Sequence, residues 1–476
     1  MISRVEVHPG RYHDSVRLMQ ASKALQGVPG VTGALVAMAT ELNLSLLRDM
    51  GFDMATVAGA GPNDLLLAVH TDDEDSFAAA KAALDAALTH KAAPSGGLDA
   101  PDPKTVGSAA AVNGANITLL SVPGEHAFVE AMESLDTGRH VMIFSDNVPI
   151  EQEIILKKRG VERGLLVMGP DCGTAIVNGL GLGFANATQP GPVGIVGASG
   201  TGIQQMTCLL NDAGAGVRHA LGTGSHDLSE EVGALSTLQA LAGLDADPAI
   251  DVISVISKPP AASVAAKVRA AAENCAKPVV ITFMGETTLE EGAGEVLAAL
   301  GRPAMTYASW PAGQHQHRGG LVRGLFSGGT LRDEARFVAT PTLGEIGTRE
   351  EDAGHTFIDY GDDEYTQGRA HPMIDQTVRI DRLAEAGTDE SIGVVLLDVV
   401  LGYGANADPA AELAPVIAGV VDQSTAVVVS LCGTQGDPQD RDTQAAMLQG
   451  AGASVWLSNR AATREAVRLA TEGRPA

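Results

Sequence analysis

GPVGIVGASGTG, residues Gly191 to Gly202, reads as a buried strand running straight into a glycine-rich helix start. The first N–H groups of a helix have no acceptor within it, so such a start presents donors to an anion. Ser199 and Thr201 add hydroxyls beside those amides, and Gly197, Gly200 and Gly202 let a phosphate or acyl phosphate approach the backbone. Taken alone the pattern is equally that of an ordinary strand-to-helix turn, so its neighbours decide its meaning.

Outward from this stretch, strands and helices alternate as in parallel α/β units. ITLLSV, VMIFS and LLVMG precede it, and VISVIS and VVITF follow. A second series, LVRGLFS, TFIDY, VVLLDVV, AVVVSL and SVWLS, fills the last third. Before all of these, short strands and helices in residues 1–92 form an N-terminal α/β domain. KAAPSGGLDAPDPKT, Lys91 to Thr105, then reads as a linker. The expected division is 1–92, 106–190, 191–312 and 313–476, with Pro311 to Gly320 marking the last boundary.

A chain of 476 residues exceeds one compact core, which agrees with several domains. The net charge of −26 repels phosphate backbones and only 3% of residues are aromatic, so nucleic acid is not the expected partner. Cys172, Cys208, Cys275 and Cys432 stand far apart, which suggests neither a zinc cage nor a disulfide framework. With no membrane-spanning or leader-like run, a cytoplasmic protein is expected.

VPGEHAFVEAM (Val122 to Met132), FSDNVP (Phe144 to Pro149), MGPDCG (Met168 to Gly173), the Gly222-Thr223-Gly224 turn and KPVV (Lys277 to Val280) follow one another in the order of the succinyl-CoA synthetase α-subunit, which residues 115–285 resemble. GLFSGGTLRDEA (Gly324 to Ala335), TFIDYGDDEYTQGRAHPMID (Thr356 to Asp375), VVLLDVVLGYGANADPA (Val394 to Ala410) and VVVSLCGTQGDPQ (Val427 to Gln439) resemble the ligase domain of the β-subunit. One chain joining both, with YHDSV at Tyr12 to Val16, is similar to the FdrA family, which is associated with oxamate carbamoyltransferase. The resemblance implies a multidomain α/β protein: a Rossmann-like CoA-binding-type domain, then two flavodoxin-like ligase domains, behind the N-terminal α/β domain.

In the relatives, two helix starts hold one phosphate between them. The first maps to Gly197–Gly202. The second aligns with Asp359-Tyr360-Gly361-Asp362-Asp363, where acids replace the family's glycines and would destroy an anion site. Asp359, Asp362, Asp363, Glu364, Arg369, His371 and Asp375 form the densest polar cluster in the chain. It is either a solvated loop or a site for magnesium or manganese on Asp362, Asp363 and Glu364. His371, Asp362, Asp363 and Lys258 are the candidate catalytic residues, His371 as acid–base or substrate-orienting group. Ser327-Gly328-Gly329-Thr330 is a further turn, either a plain N-cap or a holder of a carboxylate or carbamoyl oxygen.

The departures from succinyl-CoA synthetase are informative. No histidine occurs between Asp227 and Gln314, so the covalent phosphohistidine is missing and no autophosphorylation is expected; His315 and His317 are exposed loop residues or a relocated carrier. Lys258 stands where the family places an acid, and it is either an anion ligand or an ordinary strand-end lysine. The family's first CoA-binding turn has no clear counterpart, which puts CoA in doubt, and without an ATP-grasp domain partner subunits are required. The preferred expectation is a carbamoyltransferase subunit interconverting oxalurate plus phosphate with oxamate plus carbamoyl phosphate. An acyl-CoA synthetase subunit and a non-catalytic scaffold are the alternatives.

Overall fold

The computed structural model describes residues 2–13, 15–88, 103–313, 319–366 and 369–472. Most of the expected linker, and both His315 and His317, lie outside the described residues. The chain divides into two units. One is Met1–Asp102 with Asp363–Asp375, and the other is Pro103–Asp362 with Gln376–Ala476.

In the smaller unit, LLLAV is apolar at every position because its strand is covered on both faces. Leu65–Thr71 lies between Ile2–His8 and Val31–Met38 in an antiparallel sheet. Side chains alternate across a strand. Leu65, Leu67 and Val69 therefore pack on Leu18, Ala21 and Leu25 of helix Ser15–Gln26 and on Phe77, Ala80 and Leu84 of helix Glu74–Leu88. Leu66 and Ala68 face Leu47, Phe52 and Val57 instead. The sequence reading did not separate helix Glu41–Asp49, whose start is capped by Thr40 accepting from Asn43 N. Lys23 Nζ donates to Ile374 O at 3.1 Å, fastening the Asp363–Asp375 segment within this unit.

The larger unit holds three sheets. Ile117–Leu120, His140–Ile143 and Val167–Met168 form a parallel three-stranded sheet with helices Gly124–Asp136 and Ile150–Arg163. The second sheet runs Val279–Phe283, Val252–Ser257, Val193–Ala198, Val217–Gly222, Thr174–Val177, Leu180–Gly183. Its first four strands are parallel, and its last two form an antiparallel edge hairpin. The third runs Ser309–Trp310, Ser454–Trp456, Ala426–Cys432, Ile392–Val400, Leu321–Phe326, His355–Asp359, Ile346–Gly347, parallel apart from its first strand. The α/β architecture expected from the alternating pattern is thus the observed one. Among the described residues, no helix is long and apolar enough to cross a membrane.

Polar contacts bind the second and third sheets together. Gln205 Nε2 donates to Leu457 O at 2.8 Å, and Arg441 Nη1 meets Asp212 Oδ1 at 2.7 Å. Glu334 is fully buried at this junction, accepting from Leu289 N at 2.6 Å and from Asn459 Nδ2 at 2.7 Å. Burial pushes its carboxyl up to about 7 from the ordinary 4.5. The native state therefore binds more protons than the unfolded one between these values, so stability falls as pH rises through them. Glu334→Gln removes that slope, and the buried, unpartnered Asn459 Oδ1 can turn to accept from the new amide. Relative to the parent protein, the variant's melting temperature should rise steadily from pH 4.5 to pH 7; a constant difference would show that Glu334 does not titrate there.

Candidate functional site

The first turn is built by steric necessity. Strand Val193–Ala198 is buried throughout, and Ser199, extended at φ −165, caps helix Gly200–Asp212 by accepting from Gly202 N at 3.0 Å. A Cβ on Gly197 would stand 2.6 Å from Ile203 Cγ1, and one on Gly202 would stand 2.6 Å from Ser199 Oγ. Gly200 differs, because its Cβ would only reach Thr174 Oγ1 at 3.6 Å. It borders a small opening lined by Asp171, Cys172, Thr174, Ser199, Gly222 and Gly224 among others. The Cys172 thiol there donates to Gly222 O at 3.3 Å and is pushed up to about 12 by burial, so it is not a nucleophile at neutral pH.

The second turn follows strand Leu321–Phe326 and opens helix Gly329–Leu343. Its first amides are already in use. Asp398, wholly buried in strand Ile392–Val400, accepts from Ser327 N at 2.8 Å, Ser327 Oγ at 2.7 Å and Gly328 N at 3.0 Å. The carboxylate expected at Ser327 and Gly328 is therefore the protein's own, and the donors open to a ligand belong to Gly329 and Thr330. Arg379 Nη1 meets Asp398 Oδ1 at 2.6 Å and also donates to Leu325 O at 3.2 Å. Burial pushes the Asp398 carboxyl up while Arg379 and the turn's donors pull it down.

The two turns meet. Ser199 Oγ and Thr330 Oγ1 share a hydrogen bond at 2.6 Å, and a Cβ on Gly328 would stand 2.5 Å from the Thr201 side chain. The resemblance paired the first turn with Asp359–Asp363; within the larger unit, the helix start in contact with it is that of Gly329. Asp359 and Lys258 nevertheless reach the second turn, since a Cβ on Gly329 would lie 2.5 Å from Asp359 Oδ2 and 3.2 Å from Lys258 Nζ.

The remaining candidates are placed elsewhere. Asp363, Glu364, Arg369 and His371 belong to the smaller unit, whereas Lys258, Gly197–Gly202 and Ser327–Thr330 belong to the larger one. Asp362, Asp363, Glu364 and Arg369 are exposed. His371 shapes its own turn, Nδ1 accepting from Met373 N at 3.2 Å and its carbonyl accepting from Ile374 N at 2.7 Å. Among the described residues there is no group of three or more His, Cys, Asp or Glu able to hold a metal. Asp362, Asp363 and Glu364, the residues expected to hold magnesium or manganese, are divided between the two units.

A second buried ion group escaped the sequence reading. Lys157 Nζ, on helix Ile150–Arg163, meets Glu153 Oε1 at 2.6 Å and Asp227 Oδ1 at 2.8 Å and donates to Thr223 O at 2.9 Å. It thereby fixes the Gly222-Thr223-Gly224 turn from behind the opening at Gly200.

Three family models match the chain. Residues 1–103 match one described as AllF, heavy metal-associated domain; residues 188–285 match a CoA binding domain; and residues 325–469 match CoA-ligase. The segment 1–103 contains no cysteine, so it offers no thiolate for a soft metal. The chain is similar to the uncharacterized protein YahF of Escherichia coli (strain K12), 37% identical over 505 residues covering 96% of this chain and 97% of that protein. It is also similar to the malate–CoA ligase subunit alpha of Methylorubrum extorquens, 28% identical over 42% of this chain and 70% of the relative. With the succinate–CoA ligase subunit alpha 2 of Archaeoglobus fulgidus it shares 28% identity over 30% of this chain and 57% of the relative. These matches overturn the expectation of a carbamoyltransferase, since the relatives with a stated activity are CoA ligases. With 37% identity to YahF over nearly the whole of both chains, and CoA-binding and CoA-ligase domains in sequence, the chain belongs to the YahF family, of the succinyl-CoA ligase-like type.

Proposed function

We propose that the chain is a subunit of an acyl-CoA ligase-type enzyme and holds phosphate, or the phosphoryl end of an acyl phosphate, between its two glycine turns. The observation that carries this reading is the 2.6 Å hydrogen bond between Ser199 and Thr330, which draws two helix starts to one point. Open N–H groups and the positive ends of both helices favour an anion there, and Lys258 Nζ beside Gly329 adds a full charge. The Thr201 hydroxyl, buried and without a hydrogen-bond partner among the described residues, is a further donor against the second turn.

The opening beside Gly200, lined by Asp171, Cys172, Ile203 and the Thr174 hydroxyl among others, is where the reacting end of an acyl thioester would approach the first turn. Bound there, CoA would supply the thiol that carries the acyl group. The chain's own part is to orient the acyl carbon against phosphate and to balance charge on the anhydride oxygens. No histidine is required in this step, which agrees with its absence from Asp227 to Gln314. Nucleotide chemistry falls to a partner subunit.

Gly200→Val tests the reading, because the Cβ position is open and the added methyls fill the opening without disturbing the turn. The folded variant should bind inorganic phosphate and CoA at least about tenfold more weakly by calorimetry, a loss of roughly 1.4 kcal/mol. Unchanged affinities in a variant with a normal circular-dichroism spectrum would refute it.

A further inference from the structure

We propose that Asp359 is the proton-holding group of this site, so that an anion enters between the two turns together with a proton on the Asp359 carboxyl. The proposal rests on the reading of the paired turns as an anion site, and adds the group that sets its pH dependence.

Asp359 ends strand His355–Asp359, and only 8% of its surface is exposed. One oxygen, Oδ1, accepts from Gly361 N at 2.9 Å. The other, Oδ2, has no hydrogen-bond partner among the described residues and stands where a Cβ on Gly329 would be 2.5 Å away. Gly329 is the first residue of its helix, so this oxygen lies beside the helix start whose free N–H groups an anion would use. An ionised carboxylate at that place would repel the incoming charge. As an acid, the same group donates to an anion oxygen and leaves the helix start free.

The surrounding charges bear on both states. Lys258 from the end of strand Val252–Ser257, Arg332 from the helix of the second turn and the Gly361 N–H favour ionisation, while Asp398 from strand Ile392–Val400 opposes it. Arg379, from the helix that follows, is committed to Asp398. Burial is the largest influence and pushes the carboxyl up to about 6 from 3.8, so the proton is available close to neutral pH. Acids at this position therefore need not abolish an anion site; one of them, protonated, takes part in it.

Sulfate is the suitable probe, because its charge is constant between pH 5 and pH 8 whereas phosphate changes its own. For the full-length protein, sulfate affinity should fall at least about tenfold from pH 5 to pH 8, as the like charge develops beside the ligand. Asp359→Asn keeps the acceptor for Gly361 N and should bind sulfate with the parent's pH 5 affinity throughout. Lys258→Met should weaken binding at every pH and keep the slope. At pH 7, calorimetry in buffers of different ionisation enthalpy should show net uptake of about 0.4 proton or more by the parent protein and none by Asp359→Asn. A parent affinity that does not change with pH, or a slope that persists in Asp359→Asn, overturns the role of Asp359 alone. Failure of the parent protein to bind sulfate at any pH overturns the anion site itself.

Discussion

Replacing Arg379 with Met is expected to lower the unfolding free energy of the larger unit by about 3–5 kcal/mol. Arg379 and Asp398 are both almost completely buried and meet at 2.6 Å. Removing the cation leaves a carboxylate in the core whose remaining donors are those of Ser327 and Gly328. The carboxylate then holds its charge at greater cost, so the loss should be larger at pH 8 than at pH 5, where Asp398 can escape by taking a proton. Urea unfolding at both pH values measures this. Adding Asp398→Asn to Arg379→Met should cost less than the two single losses combined, since the groups share one interaction. A single-variant loss below about 1 kcal/mol would mean that the pair behaves like an exposed ion pair.

Lys157→Met should be comparably damaging, at about 3–5 kcal/mol, for a different reason. One ammonium serves two carboxylates, Glu153 and Asp227, and all three side chains are at most 1% exposed. Asp227 keeps donors from Ser236 N at 3.1 Å and Thr237 N at 2.8 Å, whereas Glu153 keeps only the 3.4 Å contact with His226 Nδ1 and becomes the less supported carboxylate of the trio. Adding Glu153→Gln should recover part of the loss. Because Lys157 also holds Thr223 O, amide hydrogen exchange should quicken at Gly222 and Gly224 beyond the change elsewhere in the unit. Uniform quickening would show that the triad supports the fold without fixing the turn.

Much of this architecture could be read before any coordinates, where the signal was local. VGIVGASGTG carried both the strand and the helix start, and the apolar run that ends at Val69 carried a strand. Other features were local but passed over. The hairpin at the edge of the second sheet turns on Asn178 and Gly179, both at positive φ, a pair that commonly forms such turns. Asp398 stood as a single acid within the aliphatic run VVLLDVV, which is itself a sign of a buried, paired charge. Its partners were beyond sequence reading, because Ser327 lies 71 residues away and Arg379 lies 19 residues away on another element. The meeting of Ser199 with Thr330 spans 131 residues and depends on how two sheets pack. The dense acidic run could not show its own division: its seven polar groups, close in sequence, belong to two different units.

The discontinuous make-up of the smaller unit sets an order on its assembly. Its three-stranded sheet lies within Met1–Asp102, yet its last piece, Asp363–Asp375, is reached only after Pro103–Asp362 of the larger unit has been made. During synthesis at about 5–20 residues per second, the earlier piece of this unit must therefore wait tens of seconds for the segment that Lys23 will fasten. The larger unit waits longer still, because its own last piece, Gln376–Ala476, follows the segment that completes the smaller one.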